Sequence, residues 1–140
     1  MLFSESKVKV SDNSGAKLVK IVKVPGSSKP RTAKAGDIVL VTTRQVKFKH
    51  KLKASKRILK GMLFKAIIMR TKKPEFFRDG TFVKFDENKV VLIQKTQPRT
   101  FGGPKLAGNR VFGPIVLKKK LKKKFPKLFA LASLVITSRE

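Results

Sequence analysis

Few side chains in this sequence can do acid–base or metal chemistry. His50 is the single histidine, and Lys49 and Lys51 flank it. A general base needs a partner that orients it and a pKa near working pH. Between two cations the imidazole reads instead as an exposed loop residue beside phosphate. The acids are Glu5, Asp12, Asp37, Glu75, Asp79, Asp86, Glu87 and Glu140. Asp12, Asp37, Asp79 and Asp86 stand in turn sequences, where a short carboxylate accepts nearby backbone N–H groups. Nothing in the spacing of the acids makes them converge on a metal or an acid–base pair. Cysteine is absent, which removes thiolate ligands and disulfides. Phe101-Gly102-Gly103-Pro104 lacks the following Lys-Ser/Thr and the strand-to-helix setting of a nucleotide loop. It reads as a basic loop that threads RNA. The expectation is a chain without catalytic residues, metal or cofactor.

Cations are the chemistry that is present in quantity. Lys and Arg number 35 against 8 acids, a formal net charge of +27 over 140 residues. Unpaired cations are too costly to bury, so they face outward and repel one another. Solubility asks for a net charge of only about 2–8 in a small domain. A polyanion relieves the excess, and a phosphate backbone binds through counterion release. Anionic membrane surfaces are the weaker alternative. No apolar run reaches the ~18 residues of a membrane helix. The start, Met1-Leu2-Phe3-Ser4-Glu5-Ser6, does not read as a signal or transit peptide.

The aromatic usage is one-sided: 11 Phe, no Tyr and no Trp. Phe64, Phe82, Phe85 and Phe112 lie in apolar stretches and are expected in the core. Phe48, Phe76, Phe77 and Phe101 lie among cations, where packing and base stacking are equally open.

The elements that must position these groups are mostly strands. Val8 and Val10 alternate with lysines, and Asp12 to Gly15 forms a turn in which glycine takes positive φ freely. Residues 17–24 resume a β-branched run until Pro25-Gly26 breaks it. Ala35-Gly36-Asp37 turns into a strand over 38–46. A basic tract covers 47–57 without clean periodicity. The strongest apolar strand is 62–71. A basic, aromatic connection over 71–77 leads to an Asp79-Gly80 hairpin turn and a strand over 81–85. Residues 89–94 are another strand. Short strands at this spacing predict a small closed β-barrel. Residues 97–109 are loose and rich in Gly and Pro, and 110–114 form a last short strand ending in a turn. Residues 118–124 are basic, and 125–136 are apolar, with one or two short helices around Pro126. The length favours one domain over 1–140: a barrel with basic insertions to about 116, then a helical part over 117–140.

Several segments resemble the family of universal large-subunit ribosomal protein number fourteen. Val10-Ser11-Asp12-Asn13-Ser14-Gly15-Ala16 is similar to its N-terminal motif. Ala35-Gly36-Asp37-Ile38 resembles the turn that follows. Residues 66–73 (AIIMRTKK) resemble its strand and basic turn, with Met69 in place of a usual aliphatic. Asp79-Gly80, Phe85, Asn88 and Val91-Leu92 continue at the family's spacing. Residues 110–115 (RVFGPI) and 125–136 resemble its last motifs. The tract after Val46 and the loop 97–109 look longer than in bacterial members, and 118–124 is more uniformly basic. A bacterial-type core with basic insertions is expected in an organellar ribosome, mitochondrial first, with plastid or bacterium as alternatives.

The resemblance implies a five-stranded β-barrel with a small helical C-terminal part. It implies binding to large-subunit rRNA at the face that meets the small subunit. It also implies bridges to small-subunit rRNA, contacts with large-subunit proteins of families three and nineteen, and docking of a ribosome-silencing factor. Asn13, Ser14 and Lys17 would set the first turn against rRNA. Lys29 and Arg31 would add loop contacts. Arg70, Lys72, Lys73 and Arg78 would line the basic turn. Lys47, Lys49, Lys51, Lys53 and Arg57 would form an arm between rRNA helices. Arg99 and Arg110 are the bridge candidates. Phe125, Leu128, Phe129, Leu131 and Leu134 would pack the C-terminal part or meet a protein partner. Such contacts read RNA shape more than base identity. The rivals are a general, DNA-compacting nucleic-acid-binding barrel and an enzyme acting on nucleic acid.

Overall fold

The computed structural model describes residues 1–26, 32–47, 58–94, 105–116 and 124–136. Five strands close into a barrel: β2 (Lys7–Val10), β3 (Ala16–Lys23), β5 (Ile38–Val46), β6 (Leu63–Arg70) and β9 (Lys89–Ile93), in that order around the wall. Neighbours are antiparallel, except that β9 closes on β2 in parallel. The period-2 pattern turns one set of side chains inward. Val8, Val19, Ile21, Val39, Val41, Phe64, Ala66, Ile68, Val90 and Leu92 fill the interior. Closure removes the exposed edges that an open sheet of this size would leave for aggregation.

Two wall strands are buried on both faces. In β6 and β9 the outward residues Ile67, Met69, Val91 and Ile93 form a second core with Val111, Ile115, Phe125 and Leu128. This explains why 66–69 and 90–93 read as continuous apolar runs instead of alternating ones. The C-terminal lobe that covers them consists of β10 (Ile115–Val116), helix α1 (Pro126–Leu131) and β11 (Val135–Ile136), with β10 and β11 paired in parallel. Pro126 opens α1, where its missing N–H and fixed φ cost nothing. Leu128 is fully buried, Phe125 is buried and Phe129 half-buried, whereas Leu131 and Leu134 stay exposed.

Small ribbons complete the molecule. β1 (Leu2–Phe3) pairs with β4 (Thr32–Ala33), and β7 (Glu75–Phe76) pairs with β8 (Phe82–Val83). The hairpin turn expected at Asp79-Gly80 is present, and the Asp79 carboxylate accepts the Thr81 N–H at 3.0 Å. The strand expected over 81–85 is only two residues long and lies outside the barrel. Two aromatic expectations are overturned: Phe82 is 61% exposed and Phe112 is 54% exposed, while Phe64 is buried as expected. Phe82 lies on a two-stranded ribbon with no layer above it, and its ring meets Phe76 instead, centroids 5.8 Å apart.

Candidate nucleic-acid interface

The first turn is built from its own polar side chains. Asp12 is buried, and one carboxylate oxygen accepts the Ser14 N–H at 2.9 Å together with the Ser14 hydroxyl. The other accepts the Leu92 N–H at 2.9 Å, which ties the turn to β9. Burial raises the Asp12 carboxyl above its ordinary value, against the pull of its bonds to Ser14 and Leu92. Asn13 folds toward residues 108–110. Its Oδ1 accepts the N–H groups of Asn109 at 2.8 Å and Arg110 at 3.0 Å. A Cβ at Gly108 would lie 2.7 Å from that Oδ1, so any side chain there would push Asn13 out of this arrangement.

A second polar lock lies next to it. Arg70 is 9% exposed. Its Nη2 donates to the Ser11 hydroxyl and to the Phe112 carbonyl, and the Ser11 hydroxyl donates to the same carbonyl at 2.6 Å. Gly113 has φ +78°, and a Cβ there would stand 2.7 Å from Arg70 Nη1. Burial lowers the Arg70 pKa, opposed by the charge of Glu87.

Three of the side chains put forward from sequence for rRNA also make contacts within the fold. Arg70, expected to line the basic turn, holds Phe112 to the barrel through its Nη2. Ser14 is buried and serves the turn's own carboxylate. Asn13 holds the 109–110 backbone with its side-chain oxygen. Polar residue type did not separate a side chain that closes a turn from one that meets a ligand. The missing signal was the partner, which for Arg70 and Ser11 lies 42 and 101 residues away in sequence, at Phe112.

The remaining described candidates are exposed on two rims. At the first rim, β5 ends beside the first turn: the Lys47 N–H donates to the Gly15 carbonyl at 2.7 Å. Lys17, Lys47 and Arg110 are exposed around that junction. Residues 59–62, on the far side of the undescribed stretch, are tied to β5 as well. Thr43, fully buried, donates its hydroxyl to the Leu59 carbonyl and accepts the Met62 N–H at 3.1 Å. At the opposite rim the Lys72 N–H donates to Asn88 Oδ1 at 2.7 Å, and the Thr71 hydroxyl donates to the Lys73 carbonyl at 2.9 Å. The side chains of Lys72, Lys73 and Arg78 project from this ordered turn and the ribbon after it. Lys29, Arg31, Lys49, Lys51, Lys53, Arg57 and Arg99 lie outside the described residues, as do His50, Phe48 and Phe101.

Few of these charges are neutralised. The described ion pairs are Lys9 and Lys89 with Glu87, and Lys20 with Glu5. None involves Lys17, Lys47, Lys72, Lys73, Arg78 or Arg110. Among the described residues no group of acids and histidine is arranged to hold a metal, and no helix is long and apolar enough to cross a membrane. The arrangement is a rigid barrel that holds unpaired cations on both rims. The family model described as ribosomal protein L14p/L23e matches residues 1–136, and the chain belongs to that family of structural large-subunit ribosomal proteins.

Proposed function

We propose that the chain binds large-subunit rRNA at the face that meets the small subunit and helps bridge to small-subunit rRNA. The observation that carries this reading is the set of exposed cations on both rims that no described carboxylate neutralises. Lys17 and Lys47 on one rim, and Lys72, Lys73 and Arg78 on the other, are the phosphate contacts among the described residues. Lys29, Arg31, Lys49, Lys51, Lys53 and Arg57 extend the same footprint. Arg110, with Arg99, faces the small subunit. The barrel places the described cations, Lys17, Lys47, Lys72, Lys73, Arg78 and Arg110, on its two rims, an arrangement suited to recognising RNA shape. Large-subunit proteins of families three and nineteen and a ribosome-silencing factor are the protein partners, by resemblance. The mitochondrial ribosome is the proposed setting, on the bacterial-type motifs with basic insertions.

Sedimentation tests the reading. Tagged chain should stay on large subunits through a moderate salt wash, and Lys17→Glu with Lys47→Glu should cut its incorporation severalfold. Arg110→Glu should leave incorporation near normal and reduce joining to small subunits. A chain that sediments with nucleoid DNA and is missing from large subunits would refute the proposal. Fractionating mitochondria before sedimentation tests the compartment separately.

A further inference from the structure

We propose that Phe112 is a stacking platform for an unpaired base of ribosomal RNA, with Arg110 holding the adjoining phosphate. The inference rests on the rRNA binding proposed above and adds a site and a ligand chemistry to it.

Residues 110–112 lie antiparallel to the first turn. Val111 bridges Asp12, the Asn13 N–H donates to the Arg110 carbonyl at 3.3 Å, and the Phe112 N–H donates to the Ser11 carbonyl at 2.8 Å. Side chains alternate along an extended segment. Val111 is buried, so Arg110 and Phe112 share the outward side, and both are exposed.

The ring is exposed on a backbone that cannot move freely. The Phe112 N–H is bonded to the Ser11 carbonyl. Its carbonyl accepts from Ser11 and from the buried Arg70. Arg70 also fills the space beside Gly113. Backbone already held by these bonds has less freedom to lose when a ligand binds. Exposing a phenyl ring forgoes the gain from burying it. A fixed ring left in water beside a cation is suited to a ligand with one flat apolar face and one anion. A nucleotide has both.

The surroundings favour this occupant. Asp12, the acid on this ladder, is buried and turns its oxygens to Leu92 and Ser14, so it does not compete with a phosphate as a partner for Arg110. Phe112 has no ring partner among the described residues, unlike Phe76 and Phe82, which meet each other. Just over half of its surface is open to solvent.

The chain has no Trp and no Tyr, so Phe112→Trp in the full chain gives a single indole reporter at the platform. It would be titrated with isolated large-subunit rRNA, with isolated small-subunit rRNA and with a fully duplex RNA. The expected result is binding to all three, with the indole quenched by one of the two rRNAs and not by the duplex. The quenching RNA identifies the source of the base. Phe112→Leu should weaken binding to that rRNA about 5- to 100-fold, the range measured for base–aromatic stacking. Its salt dependence should be unchanged, because no charge is lost. Rescue by Phe112→Tyr would complete the support. An indole unquenched by either rRNA, with Phe112→Leu binding like the parent, would overturn the platform and leave rRNA binding standing. A change in indole emission seen only when large-subunit proteins are added would assign the ring to an apolar protein contact and also overturn it. Failure of the parent chain to bind either rRNA would instead remove the proposed function beneath it.

Discussion

Asp12 holds its carboxylate where burial opposes the charge and three donors support it. Burial is the larger influence, so the folded chain keeps this proton to higher pH than the unfolded chain, whose ordinary value is 3.8. The stability that this group contributes is full below that value and falls as pH rises through the raised one. The difference in urea stability between the parent and Asp12→Asn should therefore shift toward the variant as pH is raised from the acid side. A difference constant with pH would contradict the assignment. Gly113 offers a sharper residue test. Alanine there must adopt φ +78° and displace the Arg70 guanidinium. The left-handed conformation alone costs about 1–2 kcal/mol, so denaturant unfolding of Gly113→Ala should show at least that loss. A loss within about 0.5 kcal/mol, the range of ordinary surface changes, would mean that residue 113 is not held in this left-handed conformation. At this scale the sequence was partly legible. Asp12 and Asp79 close turns as their positions suggest, because an Asx turn needs only its next few residues. The roles of Ser11 and Arg70 depend on Phe112, which local pattern does not bring into view.

Among elements, β6 has the most to do, since it faces the barrel interior on one side and the C-terminal lobe on the other. Its unbroken apolar stretch made it the easiest strand to read, and its two-sided burial gives the reason. β2 was legible from alternation, and β3 and β5 from their β-branched residues. The ribbon β1–β4 was not, because a two-residue pairing carries no period, whereas β7–β8 was announced by its Asp79-Gly80 turn. Phe82 and Phe112 were misplaced for a related reason: apolar neighbours in sequence do not show whether a layer lies above the ring. The lobe divides its apolar residues unequally, and this is measurable. Leu128 is buried against the outer face of β6 and β9, whereas Leu131 is exposed. Leu128→Ala should cost about 2–5 kcal/mol, as buried leucine truncations do. Leu131→Ala should cost less than about 0.5 kcal/mol, as at an ordinary surface site. Equal losses would mean that α1 does not dock by the face assigned to it. A Leu131 effect seen only on ribosome joining or factor binding would mark that residue as a partner contact.

For the whole molecule, the barrel and its charge oppose each other in isolation and support each other in a ribonucleoprotein. A net charge of +27 on 140 residues raises the free energy of the compact chain through self-repulsion. Salt screens that repulsion. The free chain should therefore melt at higher temperature as salt rises, and a melting temperature that falls with salt would contradict this. Binding to RNA should respond in the opposite sense, because salt removes the gain from counterion release. Fold and charge class were legible from sequence at this scale, since they depend on sums over many residues. Which cations meet RNA was not, since that depends on which of them the fold leaves unpaired. The most direct measurement is the affinity of the full chain for large-subunit rRNA as a function of salt, with Lys17→Glu, Lys47→Glu and Lys73→Glu alongside. The account predicts a loss on the order of a thousandfold between about 50 and 200 mM salt, with a shallower slope for each charge reversal. An affinity that stays flat across that range, or slopes that the reversals leave unchanged, would contradict it.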